Sequence, residues 1–237
     1  MSATSKSFLS SSIFRKQAIA LTGFVMIGFV IVHLSGNLLI YAGPATFNGY
    51  SEMLHELGAL LWVARFGLIA SFLVHVWLTL LLVKENRAAR PQAYEVDDPK
   101  GDRKFAAAVM KYTGVLIALF LILHLFDFTF GNKTGPQSVI AAAGTGESLG
   151  LFGLVWNSFK LTDPIGWIRV PLYLLAVSSV GLHLSHAIQS VFQTFGFHHA
   201  RYTPIIRNVS VAIGGIVALA FALIPIYVLV TPSPWGL

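Results

Sequence analysis

The sequence predicts an all-α membrane protein with five transmembrane helices, the first four forming a bundle. Three observations carry this. The 237 residues are 55% hydrophobic and only 11% charged, where a soluble domain carries about 25% charged residues. Mean hydropathy is +0.72. Five apolar runs are each long enough to cross a bilayer, which takes about 20 residues.

The first run covers residues 18–41. It follows a polar, basic stretch, MSATSKSFLSSSIFRKQ, and no small-residue cleavage site comes after it, so it reads as a retained helix. Gly43-Pro44 ends it. The second run, 59–83, gives way to a charged connection broken by Arg90-Pro91 and Asp98-Pro99. The third, 106–130, stops before Gly135-Pro136. A long connection, 131–169, contains SLGLFGLVWNSF, apolar but shorter than a span and expected to lie along the membrane surface. Asp163-Pro164 closes that connection and precedes the fourth run, 170–192. The fifth, 205–230, tolerates Gly214-Gly215 and Pro225 where neighbouring helices satisfy its backbone. No internal repeat is evident, and residues 1–237 read as one integral membrane domain.

There is no cysteine. That excludes disulfides, iron–sulfur ligation, thiolate zinc sites and haem attached through Cys-x-x-Cys-His. The net charge of +6 orients helices in a chain of this kind and does not indicate a nucleic-acid surface. Twelve of the sixteen Lys and Arg residues fall on one side: Lys6, Arg15 and Lys16, then Lys84 to Lys111, then Arg201 and Arg207. Only Arg65, Lys133, Lys160 and Arg169 fall on the other. The positive-inside rule puts the N-terminus in the cytoplasm and the C-terminus outside.

Four of the eight histidines stand well inside spans: His33, His75, His124 and His183. At 1.5 Å per residue, His33 lies about 22 Å and His124 about 27 Å from the cytoplasmic ends of their helices. His75 and His183 lie only about 12 and 14 Å from theirs. Spans one and three therefore supply an outer pair, and spans two and four an inner pair. Neutral imidazole is an axial ligand for haem iron, and a b haem takes two. Two depth-matched pairs predict two haems b, one above the other. A single intramembrane histidine also serves as an interhelical hydrogen bonder or proton relay; four at matched depths favour ligands. Gly36 and Ala187 offer small neighbours one turn from His33 and His183, and Phe29, Phe72, Phe120 and Phe126 are candidate walls. His186 shares the His183 face and reads as a polar neighbour or propionate partner.

The chain resembles the membrane-anchor cytochrome b subunit of succinate dehydrogenase or fumarate reductase, in its five-helix, two-haem, single-polypeptide form. The resemblance covers nearly the whole chain. It rests on SSIFRKQAIALTGFVMIGFVIVHLSGNLLIYAG with FNGY after it, RFGLIASFLVHVWLTLLLVKENRAARPQAY, KYTGVLIALFLILHLFDF and GLHLSHAIQSVFQTFGFHHARY, in that order. It implies ligand pairs His33 with His124 and His75 with His183, the pairing that depth alone gives. Ala187 stands where the family usually has Gly. The resemblance further implies a bacterial inner membrane, a flavoprotein subunit with covalent FAD, an iron–sulfur subunit, and electrons relayed to membrane quinone in the respiratory chain. The dicarboxylate site would belong to the flavoprotein.

A quinone site near the outer haem would need proton carriers. Glu52, His55, Glu56 and Trp62 in SEMLHELGALLWVAR are the candidates, at the outer mouth of the second span; a solvated helix start with acidic residues near its N-terminus accounts for them equally well. Arg65 and Arg169 are placed to pair with outer propionates, or to anchor at the interface by snorkelling. Ser12, Lys16 and Gln189 are the inner counterparts. His198 and His199 are expected in an exposed loop facing the soluble subunits. Two other readings compete: the dihaem anchor of a hydrogenase or formate dehydrogenase, and a haem-free proton-coupled transporter.

Overall fold

The computed structural model describes residues 11–89, 105–140, 146–161 and 165–232. Lys6, Arg90, Lys100, Arg103 and Lys104, with Pro91, Pro99 and Pro164, lie outside the described residues. Five helical segments are long and apolar enough to span a membrane: Ser12–Ala42, Ala59–Ala88, Val109–Thr129, Gly166–Thr194 and Thr203–Val230. The chain is an all-α, multi-pass membrane protein. Several helices outrun the apolar runs in the sequence because capping and charged residues continue them past the hydrocarbon.

Helix α1 (Ser12–Asn37) begins where the Ser11 hydroxyl accepts a hydrogen bond from the Phe14 amide at 3.1 Å, an N-cap that satisfies one orphan donor. A tight 3-10 turn, Leu38–Ala42, follows, and Gly43 at φ +92° turns the chain into α2 (Pro44–Glu56) with Pro44 in its first turn. Gly58, at φ +53°, breaks α2 from α3 (Ala59–Ala88). Glu52, His55 and Glu56 thus lie on a separate short helix just ahead of the second span.

Helix α4 (Phe105–His124) ends in a wider π-helical turn, Leu125–Thr129. The stretch expected to lie along the membrane surface without crossing it forms α5 (Gly150–Ser158), too short to span, and it is buried against other helices. Phe152 and Trp156 are fully buried, and α5 packs with Ile40, Phe47, Tyr173, Ile224 and Val228 into the largest core cluster. A helix apolar on every side has no polar face to leave in solvent or headgroups, so it is buried. Asn48 pins it to α2: its amide donates to the Leu149 carbonyl at 2.9 Å and accepts from the Phe152 amide at 3.0 Å. Lys160, just after α5, donates to the Thr231 carbonyl and sits 5.0 Å over the Trp156 ring. Burial pushes its ammonium below the usual lysine range.

Helices α6 (Gly166–Thr194) and α7 (Thr203–Val230) make the most extensive helix pair. Their crossing is backbone to backbone: a Cβ on Gly214 would stand 2.5 Å from the Gly181 carbonyl oxygen. Small residues at such crossings let membrane helices approach closely. Helix α1 packs on α3 and also on α6, while α4 packs on α6. The histidine-bearing helices α1, α3, α4 and α6 are linked by these contacts, and α7 packs on both α6 and α1.

Candidate functional site

The bundle brings the four intramembrane histidines together in two layers. In the layer nearer Tyr41, the His33 and His124 rings face one another across α1 and α4, with centroids 5.7 Å apart and planes at 90°. Aromatic rings surround them. Phe29 stacks on His33 at 5.2 Å, and Phe221 of α7 lies 6.0 Å from it. Phe120, Phe128 and Tyr173 lie 5.4 to 6.2 Å from His124. Phe126, expected among these walls, is 66% exposed and points away. The His124 Nδ1 atom is buried with no hydrogen-bond partner, so the ring is not committed there as an interhelical bonder. Asn37, one turn beyond His33, sets its amide 3.3 Å from His33 Nε2.

Gly36 serves another purpose than the one expected of it. A Cβ there would stand 2.4 Å from the Tyr50 ring, so this glycine admits α2 against α1. Its role is helix packing.

In the layer nearer Arg15, His75 of α3 and His183 of α6 lie within electrostatic reach of each other, and His183 also of His186. Their Nδ1 atoms are 3.2 Å from the hydroxyls of Thr22 on α1 and Thr113 on α4, respectively. The residue after each threonine is a glycine over the imidazole edge. A Cβ on Gly23 would be 3.4 Å from His75 Cε1, and one on Gly114 3.6 Å from His183 Cε1. These are interhelical hydrogen bonds, but they engage only one nitrogen of each ring. Among the described residues, no three His, Cys, Asp or Glu side chains gather to cage a metal ion.

Sequence reading missed the threonines, although a signal was available. TGFVMIGFVIVH at 22–33 and TGVLIALFLILH at 113–124 share Thr-Gly and a histidine eleven residues after the threonine. Ser71 and Ser179 each precede a histidine by four. Helices α1 and α4 thus share one pattern of sparse polar positions, and α3 and α6 share another.

Asp127 was also missed. It lies on the π-helical turn after His124, with its side chain 6% exposed, and pairs with Arg169 at 3.1 Å. Tyr173 donates to its other oxygen at 2.8 Å. A cavity of about 570 Å3 adjoins this cluster, lined by Phe126, Asp127, Leu154, Asn157, Ile165 and Arg169. Arg169 thus stands in an ion pair beside the upper histidine layer.

The remaining candidates are more dispersed. Arg65 covers the Trp62 ring at 4.9 Å. Glu52, His55, Glu56 and Trp62 are exposed, and His55 Nδ1 donates to the Ser51 carbonyl of its own helix at 2.6 Å. Ser12 and Lys16 are exposed in the first turns of α1; Arg15, between them, pairs with Glu85 of α3. His186 and Gln189 are half-buried on α6, while His198 and His199 are exposed beside an apolar recess between α6 and α7. No family model, curated protein or solved structure matches the chain.

Proposed function

We propose that this chain is the dihaem cytochrome b membrane anchor of a succinate:quinone oxidoreductase, passing electrons between an iron–sulfur subunit and membrane quinone. The observation that carries the reading is the pair of stacked histidine layers, each drawn from two helices of one bundle. Ligand nitrogens stand about 2 Å from a metal, so two imidazoles sharing one ion have ring centres on the order of 6 Å apart. The 5.7 Å between His33 and His124 is of that order. A porphyrin brings four nitrogens of its own and asks the protein for two, so a paired donor set suits haem where a three-residue cage is not required. The uncommitted His124 nitrogen and the aromatic walls support the same fit.

In this reading His33 and His124 hold one haem, and His75 and His183 the other. When bound, haem b supplies reversible one-electron transfer at iron. The chain's residues hold and orient the groups, exclude water and manage charge. Arg65 beside the upper layer, and Ser12, Lys16, His186 and Gln189 beside the lower, are the proposed propionate partners. The N-terminus lies in the cytoplasm of a bacterial cell, and the chain spans its inner membrane. A flavoprotein with FAD and an iron–sulfur subunit dock on the basic cytoplasmic face.

Haem quantified by pyridine haemochrome in the purified complex is expected at two per chain. A colourless preparation overturns the reading and favours the haem-free transporter. The identity of the co-purifying subunits separates a succinate or fumarate enzyme from a hydrogenase or formate dehydrogenase anchor.

The quinone site has two candidate mouths near the upper layer. One is the exposed set Glu52, His55, Glu56 and Trp62; the other is the Asp127–Arg169–Tyr173 cavity. The second is favoured by burial, because a proton carrier beside a reacting ring works best sheltered and hydrogen-bonded. Asp127→Asn is expected to lower quinone turnover by about 100-fold or more, on the scale of a lost proton-transfer group. Succinate oxidation with an artificial acceptor and haem content should hold. Glu56→Gln should be nearly silent in the same assay; the reverse pattern assigns the site to α2.

A further inference from the structure

We infer that Thr22 and Thr113 are positioning residues that fix the tautomer of His75 and His183, so that each imidazole presents Nε2 to the ligand between the helices. The inference rests on the reading of these histidines as axial ligands.

The tautomer follows from counting protons. The Thr22 hydroxyl has one hydrogen, and it is committed to its own helix, 2.8 Å from the Ala18 carbonyl and 3.1 Å from that of Ile19. Toward His75 Nδ1, at 3.2 Å, the Thr22 oxygen can therefore only accept. The Ile19 carbonyl lies 3.1 Å from the same nitrogen and also can only accept. Two acceptors facing one ring nitrogen require it to carry the proton. In a neutral imidazole the lone pair is then on Nε2.

On the other side of the bundle the threonine acts without a second acceptor. Thr113 lies 3.0 Å from the Met110 carbonyl and 3.3 Å from that of Val109 within α4, and with its one hydrogen given to its own helix its oxygen accepts from His183 Nδ1 at 3.2 Å. Gly23 and Gly114 keep the helix surface low enough for each ring edge to reach its threonine. Eleven residues make close to three helical turns, about 16 Å. Each of α1 and α4 therefore carries, on one face, an acceptor for the lower layer and a histidine of the upper one. In the upper layer His124 Nδ1 has no such partner, and His33 has the Asn37 amide 3.3 Å from Nε2.

An N–H···O bond at the far nitrogen pushes electron density into the ring and strengthens the ligating one, which favours ferric iron. Losing it should raise the reduction potential of the lower component alone. The experiment is a redox titration of the intact complex, with that component identified by its absence in His75→Ala. Thr22→Val and Thr113→Val keep shape and remove the hydroxyl acceptor, which leaves His75 the Ile19 carbonyl. Thr113→Val is expected to shift the ferrous-to-ferric ratio about tenfold, or about 59 mV for one electron, and to alter that component's spectrum; Thr22→Val should shift it in the same direction by less. The His33/His124 component should stay in place. Thr22→Ser and Thr113→Ser restore the acceptor and should restore the potential.

Both potentials unmoved in both valine variants, with haem content intact, overturn the inference. If a valine variant loses haem, loss of the lower component alone supports it and equal loss of both overturns it. Wild-type complex without haem overturns the proposed function itself, a different outcome.

Discussion

If the chain holds the two proposed haems, His33→Ala and His124→Ala are each expected to abolish one and the same haem component while the other keeps its spectrum and potential. The rings face each other at 5.7 Å from helices α1 and α4, so neither can be replaced by a neighbour on its own helix. Ser35 and Gly36 beside His33 offer no ligand, and Leu125 and Phe126 beside His124 offer none either. Removing one of two axial donors leaves an open coordination position in an apolar pocket, and retention in that layer should fall to near zero. His75 and His183 donate hydrogen bonds to different residues, Thr22 and Thr113, which the substitutions do not touch. Optical spectra of the reduced complex and haem per chain check this. Loss of different components in the two variants would break the pairing of layers.

Gly214→Leu is expected to be among the most destabilising substitutions in the chain. Its Cβ would stand 2.5 Å from the Gly181 carbonyl oxygen and 2.9 Å from the Ser185 amide nitrogen, both backbone atoms that no rotamer change can move. Helix α7 must therefore separate from α6, losing the small-residue crossing that membrane helices depend on. Overpacking commonly costs about 1–3 kcal/mol and more when backbone has to shift; the upper end is expected here. His183 lies two residues from Gly181, so the haem proposed there should loosen with the helix. Gly215→Leu is the matched control, because a Cβ at Gly215 meets nothing within 4 Å and the residue is exposed. The check is the fraction of monodisperse protein surviving heating in detergent. Equal losses for the two variants would mean that the crossing does not hold the pair.

The five spans were legible because the bilayer imposes length and apolarity on each segment separately. The histidine layers were legible for a related reason. Rise per residue converts sequence position into depth once a helix direction is assumed, and the His33–His124 approach occurs between residues matched that way. What failed was whatever depends on which faces meet. SLGLFGLVWNSF has the composition of an interfacial segment and of a buried plug alike. Only the pocket made by Ile40, Phe47, Tyr173 and Val228 decides for the plug. Gly36 looked like room for a flat cofactor and is room for Tyr50. Phe126 looked like a wall and is exposed, because two residues on from His124 is about 200° around a helix, on the side away from the histidine.

By itself, then, the sequence determined the class of the protein, the number of its spans and the depth at which each intramembrane histidine lies. These are one-dimensional quantities set by hydrophobic length and helical rise. The tertiary structure alone decided that α5 is buried, that Asp127 joins Arg169 and Tyr173 beside a cavity, and that Thr22 and Thr113 orient the lower histidines. Each of these depends on rotation about a helix axis and on the neighbour met there. In a membrane helix apolar on nearly every side, hydrophobic pattern carries almost no information about rotation. A threonine that caps its own helix carbonyl looks inert in sequence, and it acquires a second role only when a histidine from another helix arrives over the glycine beside it.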